Sequence, residues 1–163
     1  MADEQKQNLE ELKKDYSELQ KKHSLPSFEE MNKDFYIEKL SELETDFLIR
    51  EIRKFVAERL FNYLRFLENL VNPQNVPMWV FSVIKTFDAN DKKKIEEIYK
   101  KLSSNEINLI ELDVSYNEEK EVEFVLNSYR LWQEVKKEML GILGDVKKNL
   151  NKEKEKGSRG YFG

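Results

Sequence analysis

Residues 47–71 read FLIREIRKFVAERLFNYLRFLENLV, a stretch with neither glycine nor proline. Phe47, Leu48, Ile52, Phe55, Val56, Leu60, Tyr63, Leu64, Leu67 and Leu70 recur at helical spacing and leave only a strip for Arg53, Arg59 and Glu68. A helix apolar around so much of its girth must be buried against more than one neighbour. This stretch is therefore expected to be the central helix of an all-α fold.

Upstream, "IEKLSELETD" (37–46) offers two helix starts, Ser41 with Glu44 or Thr45 alone, so residues 35–71 can form one helix or two. Before it, "HSLPSFEEM" (23–31) holds Pro26, which biases Leu25 away from helix, and a capping box of Ser27 with Glu30 that starts a short segment to about Phe35. The first helix spans about Asp3 to His23. Its apolar residues Leu9, Leu12, Tyr16 and Leu19 form a narrow seam of the coiled-coil type.

Downstream, "NPQNVPMWVF" (72–81) ends the central helix at Asn72 and Pro73 and opens a short one, with Asn75 or Val76 at its cap and Pro77 in its first turn. Met78, Trp79, Val80 and Phe81 are consecutive, and so short a helix cannot turn all four inward. Trp79 is expected to be core, so that Trp79→Ala would cost about 3–5 kcal/mol. Asp88, Asn90 and Asp91 can cap "KKKIEEIYKKL" (92–102), and "SSNE" (103–106) reads as a further capping box, so that Ile107–Val114 either follows a break or continues with a kink. The final helix carries Val122, Val125, Tyr129, Trp132, Met139, Leu143, Val146 and Leu150 in 3,4 alternation, with Lys136 interrupting.

The expected architecture is a bundle of five or six helices with the long first and last helices packed together: one domain over 1–156 and a flexible tail over 157–163. Five glycines, three prolines and 37% charged residues agree with a few long, well-solvated helices. The absence of cysteine excludes disulfides and thiolate metal sites. Neither a signal peptide nor an apolar run long enough for a membrane span is visible, so a cytoplasmic protein is expected.

Few residues suggest chemistry. The single histidine, His23, falls at a helix end, where a cation caps exposed carbonyls. Di-iron bundles need Glu-x-x-His on two helices, and no such pair exists. The carboxylates at 118, 119, 121 and 123 lie in the first turns of a helix, where the macrodipole favours negative charge. "GILG" (141–144) lacks the rest of a phosphate loop, and its glycines either admit a neighbouring helix or weaken their own. No catalytic residue, cofactor or metal is expected, and the chain is not read as an enzyme.

"LPSFEEMNKDF", "YNEEKEVEF" and the terminal "YFG" resemble a family of all-helical archaeal proteins of no assigned activity. The resemblance implies an archaeal cytosolic setting and contributes no site residues. The favoured function is a helical adaptor or scaffold that binds another protein or a second copy of itself, through Met78, Trp79, Phe81, Tyr161 and Phe162. The alternative is a nucleic-acid-associated factor using lysine clusters at 92–101 and 147–159, chiefly Lys92, Lys93, Lys94, Lys147 and Lys148. That alternative is disfavoured by a net charge of -4 and by the glutamates among the tail lysines. An enzyme working through carboxylates and a cofactor ranks third.

Overall fold

The computed structural model describes the backbone of residues 2–74 and 76–159 and the side chains of 5–74 and 76–152. Among these the chain is all-α: α1 (Ala2–His23), α2 (Phe28–Phe35), a 3₁₀ helix (Ile37–Glu42), α3 (Leu48–Val71), α4 (Met78–Ile84), α5 (Ala89–Val114) and α6 (Glu118–Arg159), with no strand. Six α-helices agree with the five or six anticipated. The chain forms two compact units, one built from the segment up to Phe61 with Asn105–Leu131, the other from Asn62–Ser104 with the segment from Trp132 onward.

In the first unit, α1 ends where Ser24 takes a left-handed φ of 55°, a turn more often made by glycine. Leu25 is then buried, and the anticipated capping box forms: the Ser27 amide donates to Glu30 Oε2 at 2.9 Å and the Glu30 amide to Ser27 Oγ at 3.2 Å. α1 packs along the 3₁₀ helix and α2, with Leu12 and Tyr16 as the buried residues of its seam. Tyr16 is a polar group inside, and its hydroxyl donates to the Pro26 carbonyl at 2.7 Å while its ring meets Phe28 edge-on. Burial, the largest influence on this phenol, pushes its pKa well up.

The segment between α2 and α3 resolves the one-helix-or-two alternative. Tyr36 adopts φ 58° and closes α2 by donating its amide to the Asn32 carbonyl at 2.8 Å. The 3₁₀ helix buries Ile37 and Leu40, and α3 begins afresh after the Phe47 amide donates to Thr45 Oγ1. Phe47 itself stays half-exposed, edge-on to Tyr116.

Arg53 corrects its assignment to a polar strip. Only 2% of its side chain is exposed, with Nε 2.7 Å from Glu121 Oε2 and a terminal nitrogen 2.8 Å from Asp113 Oδ1. Glu121 is fully buried, and its other oxygen lies 4.0 Å from Arg50 Nε. The carboxylate expected to serve the helix dipole thus anchors α6 to α3, while Asp113 ties in the end of α5. Beside this cluster Ala57, Leu112 and Phe124 form an apolar contact with Phe61 and Leu109.

The break anticipated at "SSNE" does not occur. Ser103 and Ser104 donate their hydroxyls back to the carbonyls of Tyr99 and Lys100, one turn earlier, so they are accommodated within a continuous α5. Asn105 then faces inward, its amide donating to the buried Ser128 hydroxyl at 2.8 Å.

The second unit buries Leu64, Leu67 and Leu70 of α3, Val80 and Val83 of α4, Ile95, Ile98 and Leu102 of α5, and Trp132, Val135, Met139, Ile142 and Val146 of α6. Along α6 the buried line is Val125, Ser128, Trp132, Val135, Met139, Ile142 and Val146, an unbroken 3,4 alternation. It runs one residue away from the expected seam at Tyr129, Lys136 and Leu143, so Lys136 interrupts nothing. Gly141 and Gly144 are exposed, and an added Cβ at either would meet no atom within 4 Å. They admit no close neighbour among the described residues.

Candidate interaction surfaces

Pro77 is the N-cap of α4 rather than a first-turn residue behind a cap at Asn75 or Val76, and this helix, only seven residues long, turns Val80 and Val83 inward. Neighbouring residues on a helix differ by about 100°, so this choice sends Met78, Trp79 and Phe81 outward. They are 81%, 53% and 40% exposed. Trp79 is therefore not the core residue expected from sequence. The buried indole is Trp132, 6% exposed and stacked on Tyr63 with ring centres 5.0 Å apart. Three large apolar side chains on one short helix form the type of surface that monomers seldom keep without use.

A second apolar face lies in the first unit, on the distal half of α5. Ile107, Ile110 and Val114 are 70%, 61% and 83% exposed, while Leu102, Asn105 and Leu112 on the same helix are buried. The 3,4 spacing places the three exposed residues in one stripe, opposite the inward line. The expected break at 103–106 concealed this. Once α5 is read as one helix, its angular period alone separates Ile107, Ile110 and Val114 from Leu102 and Leu112.

The stripe sits among charged neighbours whose pairing is defined. Lys120 Nζ donates to Glu111 Oε1 at 2.6 Å, which lowers the Glu111 pKa and raises that of Lys120. Beside them Asn105, Asn108, Asn127 and Glu123 line a polar cleft of about 240 Å³. In the same first turn of α6, Glu118 takes a hydrogen bond from Lys22 at 2.6 Å and lies 2.8 Å from His23 Nε2, and its carboxyl is held below the usual range by Lys22 first and His23 second. His23 thus joins the end of α1 to the start of α6. Among the described residues no group of three or more His, Asp or Glu side chains is arranged to hold a metal ion, and no helix is long and apolar enough to cross a membrane.

The lysines of the nucleic-acid alternative are exposed in the second unit, but they stand among carboxylates. Lys93 lies 3.9 Å from Glu97. Lys94 lines a cleft of about 480 Å³ together with Asp91, Glu97, Lys137, Glu138 and Asp145. Lys92 neighbours Asp91 in sequence, and Lys147 and Lys148 follow Asp145 on α6. A phosphate backbone meeting this surface would face acidic groups as well as basic ones. Tyr161 and Phe162 lie outside the described residues.

No family model matches the chain, and neither a curated protein nor a solved structure was found to be similar to it.

Proposed function

We propose that the protein is a non-enzymatic helical interaction module, acting as an adaptor or scaffold that binds a protein partner through exposed apolar faces. The observation that carries this reading is the outward placement of Met78, Trp79 and Phe81 on α4, supported by the stripe Ile107, Ile110 and Val114 on α5. Full burial of an exposed side chain of this size is worth roughly 1.5–3 kcal/mol, and a partner can recover the share that corresponds to the surface still exposed on each. Trp is also among the residue types that dominate interface energetics.

The test compares the wild-type chain with a variant whose faces are both made polar, Trp79→Ser with Ile110→Ser, as bait in cells that express the protein naturally. A protein retained by the wild type and lost from the variant is the expected result. Identical captures on both baits, or none on either, would count against the reading. The nucleic-acid alternative predicts binding to mixed DNA or RNA at low salt that falls steeply as salt rises and disappears with Lys92→Glu and Lys147→Glu.

A further inference from the structure

The two apolar faces differ in the charge around them. The first unit contains 13 basic and 22 acidic residues, a net charge of -9, whereas the second contains 15 basic and 10 acidic, a net charge of +5. The local pattern agrees with these totals. At about 100° per residue, the α5 stripe is flanked by Glu111 on one side and by Glu106 and Asp113 on the other. Glu111 and Asp113 keep 68% and 60% of their side-chain surface exposed even though each is paired. Around α4, by contrast, no carboxylate occurs between Glu68 and Asp88, and the exposed Lys85 follows Phe81 by one turn.

These facts discriminate between modes of self-association. Two stripes set against one another would oppose Glu106, Glu111 and Asp113 of each copy to those of the other, a like-charge arrangement that disfavours contact. A stripe set against an α4 face joins an acid-rimmed apolar surface to one whose nearest charge in sequence is Lys85, in a unit of net charge +5. Resting on the interaction-module reading above, we propose that the α5 stripe of one copy receives the α4 face of a second copy. The contact is heterologous, so every pair retains one free stripe and one free α4 face, and assembly proceeds beyond the dimer unless the arrangement closes into a ring.

Sedimentation velocity on three chains tests this: the wild type, a stripe variant (Ile107→Ser, Ile110→Ser, Val114→Ser) and an α4 variant (Met78→Ser, Trp79→Ser). Circular dichroism of each first confirms unchanged helix content, as expected for substitutions at exposed positions. The wild type should grow in size with concentration, and raising salt from about 0.05 M to about 0.5 M should weaken its association several-fold by screening the opposite charges. Each variant alone should associate at least roughly tenfold more weakly. Their equimolar mixture should form a 1:1 heterodimer and nothing larger, because each supplies the face that the other lacks. A wild type monomeric at every concentration, a variant that assembles like the wild type, or a mixture that stays monomeric would overturn the proposal. If the wild type is monomeric but still captures a partner through these faces, this proposal alone fails; if it captures none, the interaction-module reading fails with it.

Discussion

Arg53→Met removes the guanidinium that compensates Glu121 and leaves a fully buried carboxylate whose next cation, Arg50, is 4.0 Å from its other oxygen. Breaking a buried ion pair from one side costs about 3–5 kcal/mol, because the remaining charge stays desolvated. In a chain of this length each kcal/mol lowers the melting temperature by about 2–4 °C, so a drop of roughly 6–20 °C is expected. Removing both partners, as Arg53→Met with Glu121→Leu, replaces the pair with apolar volume and should recover most of the loss, giving a coupling energy of about 2 kcal/mol or more. Asp113→Asn should cost only about 1 kcal/mol or less, since Asp113 is 60% exposed. Urea unfolding followed by circular dichroism on the wild type, both singles and the double gives the cycle. A loss below about 1 kcal/mol for Arg53→Met, or a double variant whose cost equals the sum of the singles, would refute the view that this pair fastens α3 to α6.

Other outcomes follow from the same geometry. Gly141→Ala and Gly144→Ala meet no atom within 4 Å and should each raise helix stability by up to about 1 kcal/mol, measured as an increase in the urea midpoint. Trp79→Ala should cost about 1 kcal/mol or less, because the indole is more than half exposed; a loss of about 3 kcal/mol would restore it to the core. Glu118 has a depressed pKa in the folded chain, so its contribution is present above its ordinary value of 4.5 and is lost as pH falls through the folded value. The melting temperatures of wild type and Glu118→Gln should therefore differ at neutral pH and converge on acidification below 4.5, and a gap that persists there would contradict the assignment.

Much of the fold was legible because periodicity and caps are local. The span of α1, the Ser27 capping box and the end of α2 at Phe35 all depend on residues within a few positions of one another. What escaped was decided by distant residues. Arg53 looks like a surface cation until Glu121, 68 positions later, is brought to it. Ser128 looks like a solvated hydroxyl until Asn105 faces it, and the α6 seam was consequently traced through the larger Tyr129. Trp79 is one of four consecutive apolar residues that sequence alone does not rank, and α4 buries Val80 and Val83 instead, while the buried indole is Trp132. The stripe on α5 was hidden by a local signal that misled: Ser103 and Ser104 are common cap residues, yet here both bond back to the preceding turn and the helix continues.

The central claim, that the α4 face is covered when copies meet, is tested most directly by tryptophan emission. Trp132→Phe retains an aromatic ring against Tyr63 and leaves Trp79 as the only indole in the chain. As the concentration of this variant is raised, emission from Trp79 should shift to shorter wavelength along a saturable curve that coincides with the growth in particle size. Emission that remains at the wavelength of a hydrated indole while the particles enlarge would place the contact elsewhere and contradict the account.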